Sequence, residues 1–316
     1  MTEHDTNPQS TTTTPRGTAL AAFSNALADA VAEAGLSIVR IDGRSRQPAS
    51  GIVWSADGII VTADHVVERD DDLQVGLADG TTLRARLVGR DPASDLAVLK
   101  IEATGLTPIR RAGPARIGSL ALIVARPGAD LMASLGTISA VSGPIRTRHG
   151  GKLDGLIATD ATFYPGFSGA PLIVATGGAV GLATSRFRGG RGNGVVIPLS
   201  TIERTVAALS AHGRIRRGFV GIGSQPVQLP AGLREQLGLG EQETGLLVVS
   251  VEEHGPAAQA GLFIGDIVVA FAGEVVRDPS ELRDLLGPDR VGQQATLKIM
   301  RGGQPLELTL TVGERA

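Results

Sequence analysis

Past Gly35 the hydrophobic pattern changes period, and that change constrains the fold more than any other feature of the chain. Before it, Leu20, Phe23, Leu27, Ala30, Val31 and Ala34 recur at helical spacing from Thr18 to Ala34, with Gly35 where a helix stop belongs. After it come short β-branched or aliphatic runs: 37–42, 51–55, 59–62, 73–78, 81–89 and 96–101. A second set follows at 121–125, 135–141, 156–159, 172–174, 180–185 and 194–197. Asp57-Gly58 and Asp79-Gly80 supply tight-turn chemistry between neighbouring runs. Six strands followed by six strands predict a mainly β fold of two Greek-key barrels. The 43 glycines and 3% aromatic content suit turn-rich barrels with aliphatic cores.

Composition narrows the function classes. At 316 residues the chain is long enough for two domains. A net charge of −2 offers no electrostatic footprint for nucleic acid. Cysteine is absent, which removes disulfides and thiol chemistry, and the five histidines form no metal-binding motif. No cofactor or metal is expected, and no P-loop suggests ATP use. Residues 1–17 are polar and without periodicity, which predicts a disordered tail. They lack the basic and apolar regions of a signal peptide, and no run approaches the ~18 apolar residues of a membrane span. The expectation is therefore a cytoplasmic protein, or an extracytoplasmic one if the start is misassigned.

Three segments carry candidate chemistry: Thr62-Ala63-Asp64-His65-Val66-Val67, the run from Asp91 through Asp95 to Leu99, and Tyr164-Pro165-Gly166-Phe167-Ser168-Gly169-Ala170-Pro171-Leu172. A serine hydroxyl is a poor nucleophile at neutral pH. It needs a neutral imidazole to take its proton and a buried carboxylate to hold that imidazole in the right tautomer. Asp95 precedes the apolar run Leu96–Leu99, where an unpaired carboxylate would be costly to bury.

These segments resemble the trypsin-like serine proteases of the HtrA (Deg) family, which typically read T-N-x-H-V-V, D-x-x-x-D-[IL]-A-V-[LI] and N-P-G-N-S-G-G-P-L. The resemblance runs from about Ser37 to Val312. It implies His65 as general base, Asp95 as orienting carboxylate and Ser168 as nucleophile. It also implies an oxyanion hole in the stretch Gly166, Phe167 and Ser168, with backbone N–H groups of Gly166 and Ser168 as donors. Asp64, Tyr164, Phe167 and Ala170 depart from the pattern. Phe167 sets an occluding ring beside the nucleophile against one packed harmlessly outward, and Ala170 places a methyl where glycine permits positive φ. By position, Thr162, Phe163, Ala183 and Thr184 line the S1 pocket; none is charged, so small or medium aliphatic P1 residues are expected.

The carboxyl-terminal segment resembles the family's PDZ domain, on Gly218-Phe219-Val220-Gly221-Ile222, the run Gly255–Leu262, Gly265-Asp266-Ile267-Val268 and Asp278–Leu286. Asp278 caps the last of these as a helix, Pro279 fits its first turn and Glu281 completes a capping-box spacing. The resemblance makes Phe219, Val220, Gly221 and Ile222 the loop that binds a peptide carboxylate. The expected organisation is a tail at 1–17, a protease domain at 18–200, a helical and basic linker at 201–217 and a PDZ domain at 218–313. Arg186, Arg188 and Arg191 form either a solvated loop or a site attractive to acidic segments. The resulting expectation is an ATP-independent serine endopeptidase acting on unfolded polypeptides, with peptide carboxyl termini as PDZ partners and a homotrimeric assembly. The alternative is a peptide-binding scaffold with a silent protease domain.

Overall fold

The computed structural model describes residues 16–45, 47–147, 151–175, 177–187 and 194–314. Of the expected tail only Arg16 and Gly17 are described, and they open the first helix; Arg188 and Arg191 lie outside the described residues. The chain divides into two compact units. One comprises residues through Leu87, Asp95–Pro144 and Asp154–Ile202; the other comprises Val88–Ser94, Ile145–Leu153 and Glu203 onward. The division falls inside a helix between Ile202 and Glu203, two residues from the expected boundary at 200, and two short excursions of the barrel region group with the carboxyl-terminal unit.

The first unit opens with α1 (Arg16–Gly35), rich in alanine and leucine, which are strong helix formers. Its last residue, Gly35, answers a close approach: a Cβ there would lie 2.3 Å from Leu131 Cδ1. The first closed barrel follows, from β1 (Ile38–Asp42), β2 (Ala49–Val53), β3 (Ile59–Thr62), β4 (Leu73–Gly76), β5 (Thr82–Asp91) and β6 (Leu96–Ile101). Their order around the barrel is β1-β2-β3-β6-β5-β4. Ile38, Ile41, Ile52, Ile60, Leu96 and Leu99 are fully buried in it.

The second barrel uses β7 (Leu120–Ala125) and β8 (Met132–Val141). After a hairpin of β9 (Ile145–Arg146) and β10 (Lys152–Leu153), it continues with β11 (Ile157–Thr159), β12 (Pro171–Val174), β13 (Ala179–Thr184) and β14 (Val195–Pro198). The closed order is β11-β14-β13-β12-β7-β8. Mainly β architecture with two six-stranded barrels among the described residues is what the run spacing predicts, most strand ends moving by one to three residues.

Register places the candidate residues. Thr62 of β3 pairs with Ala97 of β6, so His65 just past one strand and Asp95 just before the other meet at the same barrel end. Pro171 of β12 pairs with Leu182 of β13, which likewise brings Ser168 beside Thr184 and Ser185.

The second unit contains α2 (Leu199–His212) in part and a short pairing of β15 (Gly218–Phe219) with β22 (Gly313–Glu314). Its main sheet runs β16 (Ile222–Gln228), β17 (Thr244–Val251), β18 (Ile267–Phe271), β20 (Gln294–Arg301) and β21 (Gln304–Thr311), with β19 (Glu274–Val275) paired to β18. Three helices complete it: α3 (Ala231–Leu237), α4 (Pro256–Gln259) and α5 (Pro279–Leu285). Phe271, Leu246, Val248, Leu297 and Ile299 form its core. At α5, Asp278 accepts from the Ser280 and Glu281 N–H groups as expected of a cap. Glu281 reaches back one residue further than a standard capping box, accepting from the Arg277 N–H at 2.6 Å.

A buried ion pair anchors this unit. Asp266, 2% exposed, accepts from Arg301 Nε and Nη2 at 2.8 and 2.7 Å and from the Phe263 N–H at 2.8 Å. Burial opposes its charge most strongly, yet Arg301 and the Phe263 N–H together outweigh that and hold the carboxyl below its usual value. A carboxylate depressed in the folded state contributes stability above its unfolded pKa of about 3.9 and loses it as pH falls through the lower folded value. Asp266→Asn is therefore expected to cost about 1–2 kcal/mol above pH 5, kept modest by the part-exposed guanidinium. Hydrogen exchange at β18 and β20 amides of the full chain measures it, and the gap from wild type should close below about pH 3.9; a pH-independent gap would contradict the assignment.

Candidate active site

Between the strand ends of the two barrels, three side chains form a continuous hydrogen-bonded line. Asp95 is fully buried, and its carboxylate lies 2.9 and 3.0 Å from His65 Nδ1. His65 Nε2 lies 3.0 Å from Ser168 Oγ. An ionised carboxylate only accepts, so Nδ1 carries the imidazole proton and Nε2 is left as the acceptor for the serine hydroxyl.

Local backbone explains the placement. His65 sits on a single 3-10 turn, Asp64–Val66, directly after β3. Asp95 adopts φ +57°, a left-handed conformation that aspartate tolerates better than most residues. In that conformation its carbonyl accepts from the Asp64 N–H and its carboxylate from the His65 N–H, both at about 3.0 Å. The Thr184 hydroxyl at the end of β13 also donates to the carboxylate. The buried charge is thus met by donors from both barrels, as burial of a carboxylate requires.

The nucleophile loop is fixed peptide by peptide. Gly166 O accepts from Ser50 Oγ, Phe167 O from the Ala170 N–H, and Ser168 O from the Ser50 N–H, all within 3.1 Å. A trans peptide points its N–H opposite its C=O, so the Ser168 N–H faces away from Ala170. The Phe167 N–H donates to Tyr164 O at 3.1 Å. Phe167 is therefore corrected as an oxyanion-hole residue, its N–H being already committed, and Gly166 and Ser168 remain the two candidate donors.

The Phe167 ring neither occludes the cleft nor points outward. At 1% exposure it enters the core of the second barrel with Ile123, Ile138 and Leu172, edge-on to Tyr164 at 5.3 Å. Ala170 is buried in the same core and does not have positive φ; that conformation falls on Gly169, at φ +88°. The two departures from the family pattern thus build the barrel interior.

The four residues expected in the S1 pocket are divided. Thr162 is exposed, whereas Phe163 is half-buried against the core of the second barrel, its ring filling space that Gly194 leaves by having no side chain. Ala183 and Thr184 are fully buried, Ala183 in the barrel core and Thr184 on Asp95, so neither lines an open pocket. Consecutive β13 residues face opposite sides of the strand, and here both sides are covered, one by the barrel core and the other by Asp95. Ser185, at the end of the expected run 180–185, joins the site: its Oγ lies 3.1 Å from Ser168 Oγ and 3.4 Å from His65 Nε2. A hydroxyl one residue past a strand end carries no distinguishing sequence signal.

In the second unit, Phe219, Val220, Gly221 and Ile222 lie together along one side of a cavity of about 610 Å³, with Leu282 and Leu286 on the α5 side. Val220 O accepts from the Ala257 N–H and Gly221 O from the Glu252 N–H, which turns the Gly221 and Ile222 N–H groups away from those partners. Gly221 has φ +79°. Among the described residues, no group of three or more His, Cys, Asp or Glu side chains is placed to hold a metal, and no helix is long and apolar enough to cross a membrane.

Because the Phe167 ring fills the barrel core, Phe167→Ala is expected to destabilise the first unit by about 3–5 kcal/mol. Urea unfolding followed by the single tryptophan, Trp54, would measure this; a loss under 1 kcal/mol would contradict the packing role.

Comparison with known proteins agrees with this geometry. The family described as trypsin-like peptidase domain matches residues 49–182, and the PDZ domain family matches residues 220–312. A probable periplasmic serine endoprotease, DegP-like, of Ectopseudomonas mendocina is 33% identical over 86% of this chain and 58% of the relative. Its counterpart of the same description from Brucella suis is 36% identical over 83% of this chain and 52% of the relative. The chain thus spans just over half the length of the curated relatives it matches. Among solved structures, the HtrA-type protease AlgW with decapeptide is 30% identical with a TM-score of 0.72, over 92% of this chain and 98% of that one. The serine endoprotease from Yersinia pestis is 29% identical with a TM-score of 0.73, over 92% and 98%. The periplasmic relatives overturn the cytoplasmic expectation and point to an extracytoplasmic location; compartment is set by export signals, which the composition of a folded domain does not encode. Sequence motifs, paired barrels and these relatives lead to one conclusion: the chain belongs to the HtrA/Deg family of trypsin-like serine proteases carrying a PDZ domain.

Proposed function

We propose that the chain is an ATP-independent serine endopeptidase that cleaves unfolded polypeptides. The observation that carries this reading is the unbroken line from buried Asp95 through His65 to Ser168, each contact at about 3.0 Å. His65 Nε2 takes the Ser168 proton as Oγ attacks the scissile carbonyl, and Asp95 stabilises the resulting imidazolium. The N–H groups of Gly166 and Ser168 receive the oxyanion. His65 then returns the proton to the leaving amine, giving an acyl-enzyme, and finally activates the water that hydrolyses it.

The PDZ unit binds peptide carboxyl termini, a reading supported by the cavity beside Phe219–Ile222 and by the relative whose structure holds a decapeptide. A homotrimer is the proposed assembly. It is supported by apolar surface on α1, β7 and β8, where Leu20, Phe23, Leu120 and Leu135 are exposed. Light scattering should then give three times the chain mass of 32.4 kDa.

Degradation of β-casein by the purified full chain tests the activity. Cleavage by wild type is expected, falling by about 10⁵–10⁶ in Ser168→Ala and His65→Ala and by about 10⁴ in Asp95→Asn. Undiminished cleavage by Ser168→Ala would exclude the triad. No cleavage by wild type, with retained binding of carboxyl-terminal peptides, would favour the silent scaffold.

A further inference from the structure

Ser50 lies on β2 of the first barrel, outside the three motif segments, and yet its hydroxyl and its backbone N–H each donate to the nucleophile loop. It is fully buried. Its hydroxyl accepts from the Arg126 N–H at 2.9 Å and donates to Gly166 O at 2.9 Å. The polarity is unambiguous, because an amide N–H only donates and a carbonyl only accepts, so the single hydroxyl proton points at Gly166. The Ser50 N–H donates to Ser168 O at 3.1 Å, and its own carbonyl accepts from Thr62 Oγ1 at 2.7 Å.

Two of these bonds bracket one peptide. The Ser168 N–H belongs to the Phe167–Ser168 peptide. The peptide before it is held through Gly166 O by the Ser50 hydroxyl, and the peptide after it is held through Ser168 O by the Ser50 N–H. Gly166 needs such a tether, since φ +88° on a residue without Cβ leaves its backbone among the softest in the loop. The tether has a firm foundation. Arg126, whose N–H orients the Ser50 hydroxyl, is itself pinned through its guanidinium to Gly35 O, Ile38 O and Ala129 O at 2.8–3.0 Å. The close approach depends on Gly169, where a Cβ would stand 2.0 Å from Ser50 O.

We propose that the Ser50 hydroxyl is a positioning residue for the oxyanion hole, holding the Gly166–Ser168 backbone in the geometry that receives a tetrahedral oxyanion. This rests on the endopeptidase reading above. Ser50 touches no substrate atom; it acts through the loop, so its effect belongs to the transition state and not to substrate binding.

The test compares Ser50→Ala with wild-type full chain on a chromogenic peptide substrate, a peptide boronic acid and the matching peptide amide. The boronic acid forms a tetrahedral adduct on Ser168 with an oxygen in the hole, whereas the amide binds the cleft without reacting. The expected result is a kcat lower by about 10–100-fold with KM within about threefold. Boronic acid affinity should fall by the same factor as kcat/KM, and amide affinity should not change. Ser50→Thr against Ser50→Val, equal in shape and differing in the hydroxyl, carries the same comparison should Ser50→Ala fail to fold; the threonine variant is expected to be the more active by at least tenfold. A kcat and boronic acid affinity unchanged in Ser50→Ala, or a loss shared equally by the amide, would overturn the proposal. A wild type inactive on the substrate, or activity persisting in Ser168→Ala, would instead overturn the endopeptidase reading on which it rests.

Discussion

A carboxylate sealed from water organises the first unit. Asp95 has no exposure, and a charge so placed is tolerable only if donors converge on it. Two come from His65, through its ring and its backbone N–H, and one from the Thr184 hydroxyl of the opposite barrel. The same bonds that offset burial select the imidazole tautomer, orient the ring toward Ser168 and join the ends of β3, β6 and β13. Structural necessity and chemical competence are here one set of contacts, which is why a left-handed backbone at Asp95 is sustained.

The seam between barrels adds the second constraint. The nucleophile loop has little regular structure, so its shape must be imposed by partners for its carbonyls. Ser50 supplies two, and Ala170 and the Phe167 turn supply the rest. Phe167 contributes from below as a fully buried ring, converting a departure from the family pattern into packing that anchors the residue beside the nucleophile. Gly169 contributes by lacking a side chain where Ser50 O passes.

Much of this was legible in the sequence. The shift from helical to short β-branched runs located α1 and all twelve barrel strands among the described residues, because hydrophobic period and turn residues are local signals. The order of the three motif segments picked out His65, Asp95 and Ser168, which the structure brings into contact. What escaped were features set by tertiary register. Thr184, expected as pocket lining, faces Asp95; Phe167, expected in the oxyanion stretch, closes a turn with its N–H; Ser50 lies just outside the expected 51–55 run, and Ser185 ends the expected 180–185 run with no sign of its role. Each depends on which face a residue presents to a strand far away in sequence, and a one-residue change in register reverses that face. The grouping of Val88–Ser94 and Ile145–Leu153 with the carboxyl-terminal unit was likewise invisible to composition.

The central claim is that these contacts make Ser168, alone among the serines, an activated nucleophile facing a formed oxyanion hole. Treatment of the full chain with diisopropyl fluorophosphate, followed by peptide mapping, tests it most directly. A single phosphoryl adduct on Ser168 is expected in wild type, formed far more slowly in His65→Ala. No adduct on Ser168, or equal labelling with His65 removed, would contradict it.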